Sequence, residues 1–146
     1  MQTVIPTGAD IIEGTVTAHA HLQIPTKALI DWVNQAFETE AIMYWIEDCK
    51  GSKRAELTIG DLTHNYCYQF QVTEAETDNW RDINVETILK GIEAVLSGKD
   101  VKLSQHYKNA IFAGVIEAVT EGVGTFDSEA LDQVIQIGLF GEAIYG

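Results

Sequence analysis

The sequence predicts an α+β domain in which an antiparallel sheet of about four strands carries an N-terminal helix and a three-helix C-terminal half. Three observations carry this. Apolar residues alternate with period 2 in three stretches of the first 80 positions, "GTVTAHAHLQIP", "RAELTIG" and "YCYQFQVTE". From Val85 onward they recur with the 3.6 period of a helix. An acidic loop divides the two regimes. With 146 residues and 46% hydrophobic side chains, the chain fits a single domain over 1–146, with a sheet-rich half at 1–80 and a helical half at 81–146. A run of strands followed by a run of helices places the helices on one face of the sheet.

The first strand is "GTVTAHAHLQIP". Val16, Ala18, Ala20 and Leu22 fall on one face, and Thr15, Thr17, His19, His21 and Gln23 on the other. Pro25 ends it, Thr26 is read as an N-cap, and Leu29, Val33, Ala36 and Phe37 mark a helix over 26–38. Three strands follow, "AIMYWIED", "RAELTIG" and "YCYQFQVTE", with "KGSK" as a hairpin turn and "DLTHN" as a loop. Tyr44 and Trp45 would be adjacent strand residues facing opposite sides of the sheet. In the helical half, Val85, Ile88, Leu89, Ile92, Val95 and Leu96 form one stripe, started by Asn84 and stopped by Gly98. A second helix runs over about 103–121 and ends at Gly122 and Gly124. A third is capped by Asp127 and carries Leu131, Val134, Ile135 and Leu139.

Charge is the most unusual bulk property: 22 acidic against 9 basic side chains give a formal net charge of −13. A surface that tracks phosphates needs clustered Lys and Arg, so direct nucleic-acid binding is not expected. The densest acidic stretch, "TEAETDNWRDINVE", contributes Glu74, Glu76, Asp78, Asp82 and Glu86. Read plainly, it is a solvated, self-repelling surface that aids solubility. Read more sharply, it docks a basic partner. Trp80 and Arg81 within it belong to residue types favoured as anchors of binding surfaces, although the plainer expectation is that Trp80 fills the gap between the sheet and the first C-terminal helix.

Other chemistry is thinly represented. His19 and His21, two apart on a strand, would face the same way about 7 Å apart and offer two imidazoles to a divalent metal. The third ligand, from His64, His106 or a carboxylate, has no diagnostic spacing. Cys49 and Cys67 lack the pairing of a zinc site or a disulfide framework and read as thiols, Cys49 with a lowered pKa if Lys50 acts on it. The serines lack a nucleophile context, and "GVGTFDS" lacks the strand and the lysine of a phosphate loop. No cofactor is implied and no catalytic dyad emerges. The longest apolar runs are too short to span a membrane, and "MQTVIPTGADII" lacks the layout of a secretory signal, so a cytoplasmic protein is expected.

The stretch "QIGLFGEAIYG", residues 136–146, is too apolar for an idle tail. Gly141 is expected to turn the chain, and Ile144 with Tyr145 to pack back on the sheet or a neighbouring subunit. Tyr44, Trp45 and the segment "DSEALDQVIQIGLFGEAIYG" together resemble a family of small uncharacterised proteins encoded by tailed phages and prophages, which share a short "YW" strand and a final helix ending in a phrase like "FGEAIYG". The resemblance implies an accessory phage-type protein in the host cytoplasm and no particular activity.

The leading functional reading is therefore a non-catalytic acidic protein that inhibits a host defence or nucleic-acid-processing protein by occupying its basic surface. A second is a protein that sequesters a nucleotide signal, with Arg54, Arg81, Lys99 or Lys102 gripping phosphate. A third is a metal-dependent enzyme using His19 and His21. The C-terminal helices also offer a homodimer contact.

Overall fold

The computed structural model describes residues 21–39, 42–74, 77–98, 101–122 and 125–146. Its elements are α1 (Thr26–Glu38), β1 (Ile46–Ile59), β2 (Leu62–Glu74), β3 (Trp80–Asn84), α2 (Val85–Leu96), α3 (Gln105–Glu121) and α4 (Ser128–Phe140). The fold is α+β, with three antiparallel strands in the order β1-β2-β3 and four helices among the described residues. Most of the strand expected over 15–23 lies outside those residues, and His21 to Gln23 at its end form no strand.

The middle of the sheet departs from the sequence reading in three places, one being that residues 62–65 of the expected "DLTHN" loop are already part of β2. "KGSK" is not a turn. The chain continues through it, merging two expected strands into the single 14-residue β1. Gly51 takes the left-handed conformation (φ 56°), and the β1–β2 register shifts between Lys50 and Ser52. Glycine in that conformation with a register shift is a β-bulge, which uses the same residue types as a hairpin turn. The actual reversal lies at Gly60 and Asp61, beyond the Ile59–Leu62 pair. Conversely, "WRDIN" within the acidic loop is β3, paired with Gln69–Thr73 of β2. Only Ile83 of its five residues is buried, so no alternation of apolar residues announces it.

The helices follow their sequence signals closely. Asn84 caps α2 through a reciprocal box: its side chain accepts from the Thr87 N–H while the Thr87 hydroxyl accepts from the Asn84 N–H. Ser104 and Asp127 cap α3 and α4, which end at Gly122 and Gly141 in the left-handed conformation. For α1 the cap differs from expectation: Pro25 is the N-cap, no side chain bonds the first turn, and Thr26 is already helical.

α1 packs against β2, α2 against β3, and α4 against α2, with α3 lying on α4. One apolar core joins these layers, centred on Trp32, Trp45, Phe70, Ile83, Ile88, Ile92, Ile111, Leu131 and Ile135. The α2–α4 crossing is close because each helix presents a glycine to the other's backbone. A Cβ on Gly91 would overlap the Val134 carbonyl, and one on Gly138 would overlap that of Thr87. Two side chains of α1 also act as tertiary ties. Asn34 donates to the Cys67 carbonyl and accepts from the Cys67 N–H, both at 2.7 Å. Gln35 does the same for Phe126, at 2.6 and 3.2 Å.

Candidate functional site

The residues that carry the phage-family resemblance converge, and what they build is a structural joint. Tyr44 and Trp45 stand in the turn before β1 rather than within a strand. Trp45 is buried, and its Nε1–H donates to Asp132 Oδ1 at 2.8 Å. The Tyr44 hydroxyl donates to Asp132 Oδ2 at 2.6 Å. Asp132, on α4 and only 3% exposed, also accepts from Gln136 at 3.0 Å, so its carboxylate is enclosed by donors in place of water. Burial, and after it the hydrogen bond to Asp132 and that residue's charge, push the Tyr44 phenol above its ordinary range.

Gln136 then fixes the segment after the helix. Its Oε1 accepts the N–H groups of Ile144 and Tyr145 at 2.9 and 2.8 Å, and its Nε2 donates to the Tyr145 carbonyl at 3.3 Å. Tyr145 stacks on Trp45 and its hydroxyl reaches Glu74 of β2, as expected of a segment that packs back. Ile144 does not share that burial and stays 53% exposed. Neither Asp132 nor Gln136 stands out in the sequence, where both read as the polar side of α4. The signal that would have found them is chemical: Trp45, once buried, must bring its indole N–H to an acceptor.

The acidic stretch divides. Glu74 is not part of the surface. It is 9% exposed, its Oε1 accepts from Arg81 Nε at 2.6 Å, and its Oε2 accepts from the Tyr145 hydroxyl at 2.8 Å. Glu76 lies outside the described residues. Asp78, Asp82 and Glu86 are exposed, Asp82 receiving a bond from Gln71 at 2.8 Å and Glu86 occupying the first turn of α2, where a negative charge suits the helix dipole. Trp80 is 38% exposed and does not plug the gap below α2. It lies on the same face of β3 as Asp82, two residues on, and Lys50 Nζ sits 4.0 Å from its ring centroid. Arg81 points the other way, committed to Glu74 and lying 4.8 Å over the Phe140 ring. The Trp80 face of β3 thus combines a half-exposed aromatic, a carboxylate and a lysine, with the exposed carboxylates of Asp78 and Glu86 on either side of the strand in sequence.

The remaining candidates are not brought together. His19 lies outside the described residues, His21 is exposed without regular structure, and no group of three or more His, Cys, Asp or Glu is placed to hold a metal among the described residues. Lys99 is likewise outside them, Lys102 is exposed, and Arg54 lies 5.6 Å from the Phe37 ring. Two clefts, of about 600 and 310 Å³, are lined by neither lysine nor arginine. Burial raises the thiol pKa of both Cys49 and Cys67, with the Asp48 charge adding to the effect at Cys49, so Lys50 does not activate it. No helix of the described residues is long and apolar enough to cross a membrane. Comparison with protein-family models, curated proteins and solved structures gave no match.

Proposed function

We propose that this chain is a non-catalytic acidic binding protein of phage type, acting in the host cytoplasm by occupying the basic surface of a defence or nucleic-acid-processing protein. The observation that carries the reading is the exposed stretch at β3, where Asp82 lies on the same face as the half-exposed Trp80 and the exposed Asp78 and Glu86 flank the strand in sequence. The formal net charge of −13 supports it by steering cationic surfaces toward the protein. Trp80, held against Lys50, supplies the apolar anchor that a purely charged surface lacks.

The test is capture from host lysate at low and high salt, with wild type and with an Asp78→Lys, Asp82→Lys, Glu86→Lys variant side by side. Small molecules that co-purify are identified by mass spectrometry. A protein partner retained by the wild type, released by salt and absent from the variant's eluate supports the proposal. A co-purifying nucleotide with no protein partner overturns it in favour of ligand sequestration.

A further inference from the structure

β2 pairs with β1 along its whole length, but β3 covers only Gln69–Thr73. The outer half of β2, residues 62–68, therefore has a strand on one side and, among the described residues, none on the other. Its open side is not random. Asn34 of α1 engages both backbone groups of Cys67, so these point away from β1 and Cys67–Arg54 is a non-hydrogen-bonded pair. The register is unbroken from that pair to Ile59–Leu62. Strict alternation in an antiparallel ladder then turns the N–H and C=O of Asn65 and of Thr63 toward the open side as well. The short 3.0 Å approach of the Thr58 and Thr63 hydroxyls fits the narrow spacing of such a pair. Among described groups, the Asn65 carbonyl receives one long side-chain contact, from Arg54 Nη1 at 3.5 Å.

A cleft of about 600 Å³ runs beside this edge, with Asn65 and Tyr66 on the strand side and Asp31, Glu38 and Thr39 on the helix side, Glu117 completing the wall. Asp31 is paired with Lys27 at 2.7 Å, whereas Glu38 and Glu117 have no ion-pair partner among the described residues. The Thr39 hydroxyl oxygen is buried without a hydrogen-bond partner among the described residues, an orphan that calls for one. The outer edge of β1 is a poorer template. Three register shifts break it, and Lys50, Lys53 and Arg54 are exposed along it, the usual devices against edge pairing.

We propose that the cleft between α1 and the outer half of β2 binds an extended, cationic peptide segment of a partner protein. The segment adds to β2 as a further strand, exchanging backbone hydrogen bonds with Thr63 and Asn65 while its Lys or Arg side chains reach Glu38 and Glu117. This site is separate from the β3 face, so it stands whether or not charge reversal at Asp78, Asp82 and Glu86 has any effect.

The test uses the full ¹⁵N-labelled chain titrated with an acetylated, amidated Lys-Val-Lys-Val-Lys peptide. The control is Lys-Pro-Lys-Pro-Lys, which has equal charge and no N–H at its prolines. The first peptide should shift the Thr63, His64 and Asn65 amides and slow hydrogen exchange at Thr63 and Asn65, with the control binding at least about fivefold more weakly, as expected for the loss of about one net hydrogen bond. Glu38→Lys with Glu117→Lys should weaken the first peptide by a similar factor without lowering the melting temperature. Asn65→Pro, which removes an outward N–H of the kind an open edge can lose, should abolish the exchange protection. Equal binding of the two peptides, shifts confined to the β3 face, or no shift at millimolar peptide would each overturn the proposal.

Discussion

The Trp45 and Tyr145 rings stack, with centroids 5.4 Å apart and planes 3° from parallel, and Phe140 closes the group edge-on at 5.8 Å from Trp45. Together with the Gln136 bonds, this stack makes residues 140–146 part of the core boundary. Deleting them should cost several kcal/mol through lost burial. Tyr145→Ala alone should cost about 2–3 kcal/mol, somewhat under the usual range for an aromatic truncated in a full core because Tyr145 is only partly buried. Urea unfolding followed by Trp fluorescence checks both values, and unchanged midpoints would show the segment to be undocked.

Asp132 holds the other half of this joint. Asp132→Ala leaves the buried indole N–H of Trp45 without an acceptor and should cost about 3 kcal/mol. Asp132→Asn keeps one acceptor oxygen for that N–H and should cost about half as much. Chemical denaturation of the two variants distinguishes a hydrogen-bonding role from simple side-chain volume, under which Asp132→Asn, nearly unchanged in volume, would cost almost nothing.

Alkaline pH should loosen the same joint. The Tyr44 phenol is raised above its ordinary value of 10.0, so above that pH the unfolded chain loses its proton while the folded chain keeps it. The sign follows: this contribution to stability is complete below pH 10 and declines as pH rises further. Stability measured against pH should fall above that point in wild type and fall less in Tyr44→Phe. Tyr107, raised chiefly by its hydrogen bond to Glu129, adds a smaller share that Tyr107→Phe subtracts.

Gly91→Ala and Gly138→Ala should each destabilise by about 3 kcal/mol, the upper end of the overpacking range. In an exposed helix the same change would gain about 1 kcal/mol. The reversal arises because the added methyl meets the facing helix's carbonyl, a backbone group that cannot rotate aside. Thermal unfolding of both variants reads the sign directly.

Much of the architecture was legible in the sequence because local chemistry enforced it. The caps Asn84 and Asp127, the left-handed Gly122 and Gly141, and the apolar stripe from Val85 to Leu96 act over a single turn and need no tertiary information. The β1 bulge was misread because Gly51 satisfies the demand of a turn and of a bulge equally, and only pairing with β2 decides between them. β3 was hidden because Arg81 reaches inward to Glu74, so a core-facing position is filled by a charged residue. Glu74 itself reads as surface acid until Arg81 and Tyr145 are brought to it. The candidate β3 face was visible only in outline: Asp78, Trp80 and Asp82 were singled out by residue type, but Lys50 joins them through strand pairing across β2.

Docking of a cationic partner at the β3 face is read in the association rate constant of the captured partner as a function of ionic strength. For wild type the rate should fall steeply with salt, because exposed charges act mainly on encounter. The Asp78→Lys, Asp82→Lys, Glu86→Lys variant should associate at least about tenfold more slowly at low salt, with a flattened salt dependence. Equal rates and equal salt slopes for the two proteins, with the variant's melting temperature preserved, would contradict the account.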